Sequence, residues 1–108
     1  MSAVETRKYI MGWLRFRPGQ RETFLPIYQC GAEATRKEPG CIFYDFGISP
    51  TDPDLMLIME CFASEAAHAA HLETEHFREV GAAFERLGVA GDFQDIWAAD
   101  FKASDVRF

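Results

Sequence analysis

The chain contains no asparagine, and its three cysteines, Cys30, Cys41 and Cys61, include no Cys-x-x-Cys pair. An odd number of thiols at such spacing fits neither a disulfide framework nor a zinc site, so they are expected to be reduced core thiols. Positive charge is also scarce. Against 17 Asp and Glu stand 11 Lys and Arg, giving a net charge of -6 and a pI near 4.9. The arginines are scattered and form no basic stripe, so nucleic acid is not an expected partner. No segment approaches the ~20 apolar residues of a membrane span, and Met1 to Lys8 has no apolar run that would serve as a signal-peptide core. A cytoplasmic protein with no membrane association is expected.

What is present is bulk to bury: 48% hydrophobic residues and ten phenylalanines in 108 residues. That length predicts a single domain over residues 1–108, with one core and much apolar surface left for a partner. Tyr9 to Arg17 reads as a strand, with Ile10, Gly12, Leu14 and Phe16 on one face and Tyr9, Met11 and Trp13 on the other. After the break Arg17-Pro18-Gly19-Gln20, a helix runs to about Lys37 with Phe24, Leu25, Tyr28, Ala32 and Thr35 in one stripe. Thr23 is the expected N-cap, because it leaves Pro26 in the first turn where a missing N–H costs nothing.

Glu38-Pro39-Gly40 stops the helix, and Cys41 to Ser49 alternates as a second strand. A Pro and Asp turn leads to Leu55 to Phe62, apolar at nearly every position until Glu60. Ser64 with Glu65 predicts a helix start, Thr74 with Glu75 a restart to about Arg86, and Phe93 to Phe101 a last strand with Phe93, Trp97 and Phe101 on one face. The order β-α-β-β-α-β is the ferredoxin-like split βαβ arrangement, an α+β fold with helices on one sheet face. The other face, carrying Tyr9, Met11, Trp13 and Phe43, is then bare, and a second copy packed on it makes a homodimer the economical expectation.

All three histidines, His68, His71 and His76, follow directly on the apolar strand that ends near Glu60. A histidine cluster beside a part-buried carboxylate is a titratable group suited to acid–base work. On an unbroken helix the five-residue offset turns His76 by about 140° from His71, so both face one pocket only if the helix breaks near Thr74. His68-Ala-Ala-His71 with Glu60 also offers metal donors, but helical zinc pairs are spaced i, i+4 and no second motif supports one, so no metal is expected. His68 is expected to face solvent. Glu60 must find a donor, with Arg15 or Arg17 as candidates, or shift its pKa.

Arg17-Pro18-Gly19-Gln20 with Phe24, Glu38-Pro39-Gly40-Cys41 with Tyr44, Glu60-Cys61-Phe62, and His71 through His76-Phe77 together resemble the antibiotic biosynthesis monooxygenase family of dimeric α/β-barrel proteins. The resemblance implies a homodimer and, in each subunit, a pocket between the helices and the sheet. Some such relatives oxidise quinols, anthrones or polyketide phenols with dioxygen and no cofactor. His71 and His76 match the family's paired histidines, which implies that one serves as base or substrate partner, with Glu60 orienting it. Tyr44 is an expected oxyanion donor and Arg15 an expected steering group for an anionic substrate. Trp13, Phe43 and Trp97, with Tyr9, are expected aromatic walls that exclude water. Haem-degrading relatives and one group of polyketide oxidisers use an asparagine that this chain lacks, which leaves a quinol-type oxidase or a different proton-transfer enzyme. Two alternatives stay open: a proton-transfer isomerase of a small phosphorylated metabolite, using Lys8, Arg15 and Arg17 for the phosphate, and a non-catalytic dimeric binder of apolar ligands.

Overall fold

The computed structural model describes residues 6–107. Most of the amino-terminal stretch read above for a leader, Met1 to Glu5, lies outside the described residues. The elements are β1 (Arg7–Arg15), α1 (Gln20–Arg36), β2 (Cys41–Ile48), β3 (Leu55–Phe62), α2 (Glu65–Leu72), α3 (Glu75–Leu87) and β4 (Ala90–Ala98). They form the α+β ferredoxin-like fold, a four-stranded antiparallel sheet in the order β2-β3-β1-β4 with the helices over one face.

The period-2 pattern decides which residues meet the helices. Lys8, Ile10 and Leu14 of β1, Met56, Ile58, Glu60 and Phe62 of β3, and Tyr44 of β2 are buried on the helix side. Against them α1 sets Phe24, Tyr28 and Ala32, and α3 sets Val80 and Ala83, which completes the core. Tyr28 stacks on Tyr44 with ring centroids 5.7 Å apart, and Phe24 packs on Phe16 at 5.2 Å. Such aromatic pairs add about 0.5–1.5 kcal/mol each beyond the area they bury. The opposite sheet face is uncovered, with Met11, Trp13, Leu57, Met59 and Ile96 all exposed.

Two boundaries and one strand alternation differ from the sequence expectation. Helix α1 begins at Gln20, not after Thr23: Gly19 takes φ 80° and ends a turn in which the Gln20 N–H donates to Arg17 O at 3.0 Å. Pro26 therefore lies inside the helix, which its exposed side tolerates because the Glu22 carbonyl left without a donor is beside water. Strand β4 spans Ala90–Ala98 instead of residues 93–101, since Gly88 closes α3 in the left-handed region at φ 62° and pairing with β1 starts at once, Ala90 opposite Arg15. Phe101 thus leaves the strand and lies under the Arg7 guanidinium. In β2 an irregularity between Cys41 and Phe43 turns Ile42 outward, where strict alternation puts it with Tyr44. Of the cysteines, all free, only Cys61 is buried; Cys30 is exposed on α1.

Candidate functional site

The break between α2 and α3 organises the site. Ser64 caps α2 by accepting from the Ala67 N–H, and α2 stops after two turns at Leu72. The Thr74 hydroxyl then accepts from the Phe77 N–H at 3.2 Å and donates to the His71 carbonyl at 2.7 Å, fastening the start of α3 to the end of α2. This change of axis brings His71 and His76 together, with ring centroids 6.0 Å apart.

Between the two rings sits Glu38. His71 Nδ1 lies 2.9 Å and His76 Nε2 2.6 Å from the same oxygen, Glu38 Oε2. The carboxylate is held there by its backbone, whose N–H donates to Thr35 O at 3.0 Å while its carbonyl accepts from Cys41 N–H at 3.1 Å. A carboxylate oxygen only accepts, so both facing ring nitrogens carry protons, and His71 is left with Nε2 as its free nitrogen. The three donor atoms lie within 4.8 Å of one another, close enough to hold a cation. The same closeness follows from two N–H groups converging on one oxygen, which satisfies the buried ring of His71 without one.

His71 borders a cavity of about 240 Å³ between sheet and helices. Most of its lining is apolar, notably Ile10, Ile58, Phe77, Phe84 and Phe93, and its polar groups are Tyr28, Tyr44, Glu60, His68 and Asp95. Phe93 owes its place to Gly12, its partner on β1: a Cβ on Gly12 would come 2.7 Å from Phe93 Cδ1. The cavity is smaller than the roughly 300–1,000 Å³ clefts that take drug-sized ligands, which suits a compact molecule.

Glu60 lies on the cavity floor between Tyr44 on β2 and Ile10 on β1, beyond which Asp95 follows on β4. Burial first, and then the charges of Asp95 and Glu38, push its pKa up to about 8, so near neutrality it is mostly a protonated hydrogen-bond donor. Burial and the nearby Glu60 likewise raise the Tyr28 and Tyr44 phenols. The Tyr28 hydroxyl is buried with no hydrogen-bond partner among the described residues.

Several expected site residues are elsewhere. Trp13, Phe43 and Arg15 lie on the uncovered sheet face, and odd-numbered β1 residues cannot reach the helix side because strand side chains alternate. Tyr9 is there too, 6.1 Å from Phe43. Trp97 is on the helix side but outside the cavity, donating its indole N–H to Glu65. Glu60 does not orient either histidine; Glu38 does, and Arg15 pairs with Asp52 at 3.3 Å instead of with Glu60. His68 is half-buried at the cavity wall, not turned to solvent. Lys8 and Arg15 stand at opposite ends of β1, so the cations considered for a phosphate are not gathered.

Glu38 was legible only as a helix stop. The signal was its residue type: turns before Pro-Gly draw Asp, Asn or Ser, whose short side chains bond locally, whereas a glutamate reaches farther. The family model for antibiotic biosynthesis monooxygenase matches residues 9–83. The chain belongs to the antibiotic biosynthesis monooxygenase family. Among curated proteins it is 33% identical over 70 residues to the uncharacterized protein sll1783 of Synechocystis sp., a match covering 65% of this chain and 48% of that one, so it spans about half the length of this relative. Among solved structures, PA3566 from Pseudomonas aeruginosa superposes with a TM-score of 0.81 at 22% identity, covering 90% of this chain and 98% of that one. A Bacteroides thetaiotaomicron protein of unknown function, described as a possible oxidoreductase, gives 0.78 at 24%, covering 89% and 100%. At these identities the two structures share the fold of this antibiotic biosynthesis monooxygenase family member and carry no statement of its substrate.

Proposed function

We propose that the cavity deprotonates a compact electron-rich aromatic, of quinol or anthrone type, and that the resulting anion reacts with dioxygen without a cofactor. One observation carries this reading: His71 is held through Nδ1 by Glu38, and its ring borders an apolar cavity. With its proton fixed on Nδ1, the ring offers Nε2 as general base. The imidazolium that forms is then stabilised by Glu38, whose oxygen it already touches. The electron pair left on the substrate spreads onto a ring oxygen, to which protonated Glu60 and the Tyr44 hydroxyl, both in the cavity lining, would serve as donors.

The electrons balance without a cofactor. For a methylene between two rings, the carbanion passes one electron to dioxygen and the radical pair joins in a C–O bond. Loss of the second hydrogen from carbon breaks the O–O bond and releases water. The sum is R₂CH₂ + O₂ → R₂C=O + H₂O, with the substrate supplying every electron that dioxygen takes up. Apolar walls exclude water from the anion.

We further infer that a second copy covers the uncovered sheet face. Trp13 at 44% and Met59 at 50% exposure, with Met11, Leu57 and Ile96 beside them, make a contiguous apolar surface that a lone chain rarely leaves wet.

The test is oxygen uptake with a panel of hydroquinones and anthrones, in chelator and without flavin, for the native protein and for His71→Ala and His76→Ala. Uptake above background that His71→Ala abolishes supports the reading. No uptake with any compound removes it in favour of a binder of apolar ligands.

A further inference from the structure

The cavity wall holds a second histidine with its own partner set. Lys8, buried at 5% exposure on β1, reaches across to α2, where its Nζ lies 3.2 Å from Glu65 Oε1 and 3.0 Å from His68 Nδ1. Its ammonium also sits 4.9 Å from the centre of the Trp97 ring, and Trp97 in turn donates to Glu65. An ammonium has three N–H donors and no lone pair. His68 Nδ1 must therefore be the acceptor, which puts the ring proton on Nε2. Of what surrounds His68, burial first, then Lys8 from β1 and His71 on its own helix disfavour a second proton, while Glu65 of α2 and Asp95 of β4 oppose them more weakly.

His71 is the reverse case. Its Nδ1 faces a carboxylate oxygen, so Nδ1 carries a proton, and the neutral ring then keeps its lone pair on Nε2. The two rings stand nearly parallel, 27° apart with centroids 6.1 Å from each other, on the same cavity wall. In both, Nε2 is the ring nitrogen without a partner among the described residues.

We propose that Lys8 and Glu38 fix opposite tautomers on His68 and His71, so that the cavity presents one N–H donor beside one nitrogen acceptor and selects aromatics bearing both a hydroxyl and a second oxygen. The hydroxyl gives its proton or hydrogen bond to His71 Nε2, and the second oxygen accepts from His68 Nε2–H. A hydrocarbon satisfies neither of the two, and a ring with one oxygen alone satisfies only one. Lys8 is a positioning residue that acts through His68. The tautomer assignment stands by itself; the ligand class rests on the deprotonation reading above.

Two measurements on the native protein test this. Long-range ¹H–¹⁵N correlation of the labelled histidine rings should show His68 as the Nε2–H and His71 as the Nδ1–H tautomer near neutral pH, and Lys8→Met should convert His68 to a mixture while leaving His71 unchanged. Titration with 4-methoxyphenol, phenol and anisole should give the first compound about tenfold tighter binding than either other, the gain of one further hydrogen bond, and Lys8→Met should erase that preference. Identical tautomers on the two rings, or a native preference absent among the three probes, overturns the proposal. Because neither readout involves dioxygen, the tautomer assignment stands if oxygen uptake is never found, and it fails independently if the rings are protonated otherwise.

Discussion

Glu38 and His76 meet at 2.6 Å, Oε2 to Nε2, although one ends the turn after α1 and the other opens α3. His71 reaches that same oxygen from the end of α2. A single carboxylate atom thus joins three elements and sets the protonation of the ring that borders the cavity.

Replacing Glu38 by Gln keeps the shape but swaps an obligate acceptor for an amide that also donates. His71 then loses the partner that fixes its tautomer. Turnover in the oxygen-uptake assay is expected to fall on the order of 10²–10⁴-fold in kcat with KM little changed, the pattern of a lost base function. An equal loss carried by KM alone would assign Glu38 to substrate binding instead.

Glu60 gives the fold a pH dependence of defined sign. Its carboxyl titrates at about 8 in the folded protein against 4.5 for the free group, so between these values the folded state holds a proton that the unfolded state has released. Stability present below about 4.5 is therefore lost as pH rises through about 8. Thermal unfolding of the native protein should show a falling Tm across that window, and Glu60→Gln should flatten the slope.

Thr74→Ala removes both hydroxyl contacts that define the break between α2 and α3. Loss of an N-cap costs about 1 kcal/mol, read as a lower denaturation midpoint at unchanged m-value. The same substitution loosens the angle that gathers His71 and His76, so the Nδ1 proton of His71 should become less protected from exchange.

Gly12→Ala places a Cβ 2.7 Å from Phe93 Cδ1 and 2.9 Å from Phe93 Cα, so both ring and backbone of β4 must shift. Overpacking of this kind costs roughly 1–3 kcal/mol. Affinity for aromatic probes should fall alongside stability, since Phe93 is part of the cavity wall.

The uncovered face makes its own prediction. Native protein should scatter light as twice the chain mass, while Trp13→Glu with Met59→Lys, both on exposed positions, should give a folded monomer. A native monomer with unchanged stability contradicts the proposed dimer.

The element order and the burying face of β1 were readable, because Ile10, Leu14 and Phe16 obey a simple alternation, whereas the nearly continuous apolar run of β3 marked no single face and its odd positions Leu57 and Met59 are exposed. The break at Thr74 was readable too, as a cap residue followed by an acid. Boundaries were less so: the start of α1 was set by Gly19 and a local turn hydrogen bond that the position of Pro26 outweighed in the sequence reading, and that of β4 by its pairing with β1, which is not local to the sequence. The site was legible in its histidines and missed in its partners. Asp95 reaches the cavity, and Glu38 and Lys8 reach the histidines on its wall, through tertiary register, and Trp13 and Phe43 were drawn in by aromatic character when the strand period points them the other way.

The most direct test of the account is chemical rescue of His71→Ala on any aromatic that the native protein oxidises. A ring nitrogen acting as general base predicts turnover reduced on the order of 10²–10⁴-fold and restored in part by added imidazole, with the rescued rate rising with the free-base form of imidazole. Turnover that survives His71→Ala undiminished would contradict the assignment of His71 as the base.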